Sequence, residues 1–571
     1  MAEQGKETKA QRAERLKREK NPWECLDEIR EFARRGHDSI PPEWMNTYLR
    51  FWGVYTQGDG AGVTGGKGGE GLAVPYFMVR IRIPNGLLLS HQARTIADIA
   101  AKYGRGLLDI TVRQNFQLHW VRIEDLPDLL ERLWRAGLTT VGACGDDTRT
   151  VTGCPVAGVD ADEAFDASQL TLQLDRYFAG NAEFRNLPRK FKISVNACKA
   201  WCSYPEINDI GLTGVLRKRL GYDEPGFSLR VGGGLSNAPH LAQRLDAFVS
   251  LNQAIPVVRA IAEIFRDADV LRQSREQARL KFLFLKHGWN SETFLAEIHR
   301  RLGFRLDGAV EETVPSDLYR DHTGIHLQKQ PGYYYVGAPV LRGRINSEQL
   351  HKVAELSERL AGGEVRTTAM QNLIVINVPA HNTEPLRREL EQIGLPVEAS
   401  QFQRGTVACT GTEFCKLAIT ETKSFARWVV EELEERMPGF DQQLKINITG
   451  CPNSCGQHWI ADLGIEGKKI KVNGQFADAY YFCVGGSVGQ LQAIARPVGY
   501  RCLAEEVPQS IERLLARYTE SRQSGESLQQ FLARKSNDEI RGYLAGSVTG
   551  GADKVAERDV PVAPAPHGVD G

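Results

Sequence analysis

Two stretches of this chain carry the same succession of apolar and polar positions. Phe77 to Ile83 is almost continuously apolar and predicts a strand. A segment with helical spacing follows, with Ser90 placed to cap it. Leu107 to Val112 and Phe116 to Val121 then read as two further strands. The order recurs downstream: Tyr334 to Val340, a helix capped by Ser347, Glu364 to Ala369, and Leu373 to Val378. Strand, helix and paired strands make a ferredoxin-like half-domain, here present twice. The segments after each, about 145–320 and 400–545, alternate strands with helices and predict α/β layers.

Residue identity supports the repeat. A slide of 257 positions (333 − 76) sets Tyr76 and Val79 over Tyr333 and Val336, Ser90 over Ser347, and Gln114-Asn115 over Gln371-Asn372. A slide of 253 (446 − 193) sets Ile193 through Cys198 and Cys202 over Ile446 through Cys451 and Cys455. It also sets Asp209 and Gly211 over Asp462 and Gly464. A period this long predicts duplicated domains about a pseudo-twofold axis rather than a solenoid. The expected fold class is therefore α+β. Its parts are an arm and glycine-rich loop (1–72), half-domains at 73–140 and 323–398, α/β domains at 141–322 and 399–548, and a disordered tail (549–571).

Composition narrows the function classes. Lys+Arg and Asp+Glu are equal at 71 each, so no net field points to nucleic acid or a membrane surface. No apolar run approaches a membrane span, and the charged first twenty residues lack a secretion signal core, which predicts a cytoplasmic protein. Those residues read as a solvated, helix-capable arm. Residues 57–71 lack the lysine ending of a phosphate-binding loop and read as a mobile loop. An odd count of 11 cysteines argues against a disulfide framework and for cofactor ligation in a reducing compartment.

Four of those cysteines carry the chemistry. Cys409 and Cys415, then Cys451 and Cys455, form two thiolate pairs, and a [4Fe–4S] cluster takes four such ligands. The spacings do not fit the usual zinc patterns. The first repeat keeps only the Cys198/Cys202 pair in register, but carries Arg80 and Arg113 where the second has Gly337 and Met370. One half thus holds anion-binding cations, Arg149 among them, and the other holds metal ligands. Cys154, Cys198 and Cys202 read as relic or packing residues rather than as a second cluster.

These residues bring out a resemblance. Thr111 to Gln117, Asn186 to Lys192, the Cys409/Cys415 pair and Gly450 to Cys455 resemble the siroheme-containing assimilatory nitrite and sulfite reductases, over about residues 20–545. The resemblance implies that Cys409, Cys415, Cys451 and Cys455 ligate the cluster, and that the Cys455 sulfur also reaches the siroheme iron. It implies that Thr111, Arg113, Gln117, Arg189 and Asn453 contact siroheme; Thr111, Arg113 and Gln117 are expected to alternate along one strand face. It places Arg80, Arg149, Lys190 and Lys192 on the substrate, the two lysines on one side of a strand as proton donors.

The second lysine bears on substrate. Sulfite reductases of this family have Lys-x-Lys, whereas many plant-like nitrite reductases have asparagine in its place. Lys192 therefore points to six-electron reduction of sulfite to sulfide, with nitrite to ammonia as the alternative. A corrin-ring-modifying monooxygenase of the same family is a further alternative. Tyr55 and Cys144 stand where some sulfite-reducing members join the two side chains covalently. No nicotinamide- or flavin-binding module is legible, since Val231 to Gly234 does not open a helix as a dinucleotide fingerprint would. The implied donor is a separate ferredoxin or another small electron-donor protein, and the expected state is a monomer.

Overall fold

The computed structural model describes residues 7–58, 74–312 and 320–546. Most of the glycine-rich loop and the whole tail lie outside them.

Among the described residues the strands build four five-stranded sheets. Two are antiparallel and belong to the half-domains, and each borrows its last strand from the other repeat. Val54–Thr56, Phe77–Ile81, Phe116–Val121 and Leu107–Ile110 are completed by Arg344–Asn346. Gly324–Leu327, Tyr333–Ala338, Leu373–Pro379 and Glu364–Thr367 are completed by Leu87–Leu89. Leu88 lies opposite Val365 and Ile345 opposite Leu108, all buried. The exchange fuses the half-domains around one apolar core that also takes in Ile29, Phe32 and Trp52 from the N-terminal segment. Helices Ser90–Tyr103 and Ser347–Leu360 pack against each other, with Asp98 bonded to His351 at 2.7 Å.

The borrowed strands move both helix caps by one residue. Ser90 and Ser347 are the first helical residues; the caps are Leu89 and Asn346, the ends of the exchanged strands. Asn346 accepts the Gln349 N–H, whereas Leu89 has no side chain to offer and the Gln92 amide reaches back to its N–H instead.

The other two sheets share a mixed pattern. Thr152–Gly153, Ile193–Asn196 and Ile210–Arg219 run parallel, then Tyr222–Val231 and Gln243–Ser250 return antiparallel. Thr406–Ala408, Ile446–Thr449, Leu463–Val472, Gln475–Val484 and Arg496–Leu503 repeat that order. Each sheet has its own apolar core against flanking helices, such as Ala254–Arg266 and Val507–Ser521. The duplicated α+β architecture expected from the sequence is present.

The basic arm is helical over Lys9–Glu19, but it is not simply solvated. Lys17 is 2% exposed, donates to the Leu187 carbonyl at 2.8 Å, and lies 3.5 Å from Asp146. Glu14 pairs with Arg272 at 2.5 Å. Charge pattern alone cannot reveal partners more than a hundred residues away.

Candidate active site

The four cysteines come from two loops at the ends of parallel strands in the last sheet. Cys409 directly follows Thr406–Ala408, and Cys451 follows Ile446–Thr449 by one glycine. The turn after Cys451 is tight: a Cβ on Gly456 would lie 2.3 Å from the Ile448 carbonyl oxygen. Gly450 N–H points at the Cys409 sulfur, 3.2 Å away. Burial, and next the neighbouring Cys455, push the Cys415 thiol up to about 12. Burial raises Cys409 and Cys451 as well. Thiols crowded this way are held protonated until a cation replaces the protons, as a cluster does. Among the described residues, the Cys, His and acidic ligand atoms that gather within 4.8 Å of one another lie elsewhere. Cys455 is exposed, as is Asn453, whereas Cys451 is buried.

The first repeat faces them with cations. Arg80 leaves strand Phe77–Ile81 opposite Gln117 and donates to its side-chain oxygen at 3.1 and 2.5 Å. Gln117 in turn donates to the Thr410 hydroxyl, beside Cys409, at 3.4 Å. Arg80 also lies 3.0 Å from the Cys144 sulfur and 6.0 Å over the Tyr55 ring. Arg149 is buried and fixed by the carbonyls of Ala143 and Gly145, both at 2.7 Å. Arg189 reaches Asp146, the partner of Lys17, at 3.3 Å.

Thr111, Arg113 and Gln117 do not alternate along one strand. Leu107–Ile110 ends before Thr111, and the chain turns before Phe116 with Gln114 at φ 61°. The Thr111 hydroxyl accepts the N–H groups of Arg113 and Asn115, at 3.3 and 3.1 Å, and so stabilises the turn. Polar residues that read as an alternating face are here a loop held by its own threonine. Arg113 extends from this turn to the Asn208 side chain at 2.8 Å and the Thr150 carbonyl at 2.6 Å.

Lys190 and Lys192 lie just before strand Ile193–Asn196 rather than within it. Phe191 bridges to Thr148 and stacks on Phe265, so the flanking lysines project from the opposite side. Neither ammonium has a hydrogen bond or ion pair to another described residue. Burial, then Arg279, lowers Lys190 to about 7, while Cys455 opposes that shift. Burial, then Arg279 and Lys190, also lower Lys192 well below its ordinary value.

Sequence reasoning missed three cations that the fold adds. Arg279 pairs with Asp209 at 2.8 Å, and that carboxylate also accepts the Lys192 N–H at 2.8 Å. Lys281 is buried and lowered to about 7 by desolvation. Arg275 pairs with Asp146 at 2.9 Å. All three come from a segment with no motif spacing; only the density of Arg and Lys between 272 and 286 could have flagged it.

The comparisons with known proteins agree with this arrangement. Residues 144–306 and 400–544 match the nitrite and sulphite reductase 4Fe-4S domain, and 73–135 and 326–393 match the nitrite/sulfite reductase ferredoxin-like half domain. The chain belongs to the nitrite and sulfite reductase family. It is 36% identical over 548 residues to an assimilatory ferredoxin-dependent nitrite reductase of Haloferax mediterranei, covering 90% of each chain. It is 34% identical over 538 residues to a sulfite reductase [ferredoxin] of Mycobacterium tuberculosis, covering 92% of this chain and 95% of that one. The solved structure of the Mycobacterium tuberculosis NirA protein superposes with a TM-score of 0.87 at 33% identity, covering 93% and 97%.

As a nitrite/sulfite reductase the protein is an oxidoreductase whose cofactors are siroheme and a [4Fe–4S] cluster. The residues fit both groups. Four thiols meet the cluster's ligand demand. The Nε atoms of Arg113 and Arg149 are buried without a partner among the described residues, and the half-buried Lys190 and Lys192 carry ammonium groups with no hydrogen bond or ion pair to another described residue. Guanidinium N–H and ammonium groups left without acceptors suit a polycarboxylate macrocycle and an oxyanion. No helix among the described residues is long and apolar enough to cross a membrane.

Proposed function

We propose that this enzyme reduces sulfite to sulfide with electrons from a ferredoxin. The observation that carries the reading is the pair Lys190 and Lys192, both ammonium groups unpaired among the described residues and turned to the side where Arg149 and Cys455 act on Lys190. When bound, siroheme and the cluster supply the iron that takes the oxyanion and the electron path to it. Cys409, Cys415, Cys451 and Cys455 would hold the cluster, with Cys455 shared with siroheme, and Asn453 beside them. Thr111, Arg113, Gln117 and Arg189 would hold the macrocycle.

Arg80, Arg149, Lys190 and Lys192 act on the substrate. Arg149 is locked by two carbonyls, and Arg80 by Gln117, so both present charge without reorganising. Sulfite carries more negative charge near neutral pH than nitrite does, and a second lysine favours the more highly charged anion. Lys190, lowered to about 7, is poised to give up protons near neutral pH, and desolvation depresses Lys192 in the same direction. Oxygen leaving as water needs those protons. Arg80 contacts both Tyr55 and Cys144, which supports a Tyr55–Cys144 crosslink; an intact mass two hydrogens below the sequence mass in reductant would establish it.

The ferredoxin donor follows from the relatives, which are named ferredoxin-dependent nitrite reductase and sulfite reductase [ferredoxin]. The test compares kcat/KM for sulfite and nitrite, with one reduced ferredoxin, in the wild type and Lys192→Asn. Sulfite should be preferred, and the substitution should lower the sulfite/nitrite ratio at least about tenfold, roughly 1.4 kcal/mol. A wild type that prefers nitrite, or a ratio that Lys192→Asn leaves unchanged, would overturn the sulfite reading.

A further inference from the structure

The first repeat carries its own thiol cluster, and strand register shows what it descends from. Thr152 pairs with Ser194 as Val407 pairs with Asn447, and Ser194 and Asn447 are equivalent under the 253-residue slide. Two residues beyond Thr152 and Val407 stand Cys154 and Cys409. Three cluster cysteines therefore have counterparts: Cys154 for Cys409, Cys198 for Cys451, and Cys202 for Cys455. Among the described residues no thiol of the first repeat takes the part of Cys415. A histidine enters instead, from a different part of the chain.

That histidine is His322. Its Nε2 lies 3.1 Å from the Cys202 sulfur, and its Nδ1 has no partner among the described residues. Cys198 and Cys202 sulfurs are 3.3 Å apart, and both act on the Cys154 thiol. The ligand atoms of Cys154, Cys202 and His322 all lie within 4.8 Å of one another, and Cys198 stands outside that group, joined to it by its approach to Cys202. All four side chains are buried, all three thiols are free, and the shell around them is apolar: Val156, Val159, Tyr335 and Ile374.

The spacing distinguishes one ion from a cube. Two sulfurs on one tetrahedral zinc, each about 2.3 Å from it, lie roughly 3.8 Å apart. Ligands of a cube sit on separate irons and stand farther apart. The first repeat has the close spacing, which suits a centre of one atom. We propose that Cys154, Cys198, Cys202 and His322 bind a single zinc ion. Three thiolates and one imidazole are a ligand set that zinc favours in closed structural sites. Binding releases the three thiol protons and leaves one net negative charge. Arg320, held by Asp160 at 2.9 Å and Asp162 at 3.0 Å, places a cation near Cys198 and Cys202.

The ion would tie together three separate segments. These are the end of Thr152–Gly153, the turn after Ile193–Asn196, and the connection into the second repeat. That connection is held from the other side by Arg404, which donates to Asp321 at 2.9 Å. The site would thus brace the junction between the halves without taking part in electron transfer.

The test is elemental analysis of holoenzyme purified without added chelator, with absorption at the zinc K-edge. About one zinc per chain is expected, in a sulfur-rich shell at about 2.3 Å. Cys202→Ser and His322→Ala should lose at least nine-tenths of the zinc while retaining iron and siroheme absorbance. No stoichiometric zinc, an oxygen-rich six-coordinate shell, or zinc retained by both variants would overturn the proposal. So would an intact mass showing a Cys198–Cys202 disulfide. The wild-type stoichiometry and shell decide even if neither variant folds.

Discussion

Lys192 and Arg279 show how one residue can set the chemistry of another that sequence alone singled out. Lys192 was legible because its neighbourhood is a motif; Arg279 was not, because its role depends on Asp209, seventy positions away along the chain. The cysteines were readable for the opposite reason: a thiolate's chemistry is written in its residue type and spacing. Arg279 is, after burial, the largest cause lowering Lys190, and removing a positive neighbour raises a lysine's pKa. Lys190 would then stay protonated to higher pH. Arg279→Gln should accordingly move the basic limb of kcat/KM for sulfite to higher pH, with the acid limb little changed. The pH profile of wild type and variant checks this, since kcat/KM reports the free enzyme. A basic limb that stays in place, or moves down, would remove Lys190 as the titrating donor.

At the scale of elements, strands were easier to read than their surroundings. Phe116–Val121 falls where the sequence predicts it, the other predicted half-domain strands shift by a residue or two because their ends lead into turns, and Val54–Thr56, Leu87–Leu89, Gly324–Leu327 and Arg344–Asn346 are added by the fold. Thr111 and Arg113 were misread as strand because a turn held by a threonine hydroxyl leaves no apolar mark. The N-terminal helix Lys9–Glu19 was legible as a helix but not as a structural element of the site. Lys17 contributes a buried charge that Glu14 and Asp146 share, and Asp146 also orients Arg189 and Arg275. Lys17→Met leaves two buried carboxylates short of a cation, a loss that costs about 3–5 kcal/mol when a buried pair is broken. The expected result is a lower melting temperature and a reduced siroheme-to-chain ratio, read from absorbance of the purified protein. A variant with full stability and full siroheme would show the helix to be incidental to the site.

For the whole molecule, duplication was legible as two offsets, 257 and 253, while the exchange of Leu87–Leu89 for Arg344–Asn346 was not. A short apolar strand looks the same whichever sheet it joins. The halves also meet at a group no motif marks. Glu206, buried in the turn Pro205–Ile207 of the first repeat, accepts the Gly489 N–H of the second, and its other oxygen has no partner among the described residues. Desolvation raises its pKa from 4.5 to about 7. Because the folded value is the higher one, its contribution to stability is fully present below about pH 4.5 and is lost as pH rises through about 7. Above that, folding carries the cost of an ionised carboxylate at the junction of the repeats. Glu206→Gln keeps the acceptor for Gly489 but cannot ionise. The variant should match the wild type near about pH 5 and exceed it near about pH 8.5, by no more than about 3 kcal/mol from the size of the shift. Melting temperatures of both holoenzymes across that range give the answer. An offset between them that does not change with pH would mean Glu206 is already ionised in the folded protein, and that cations such as Arg230 and Lys445 hold the junction together.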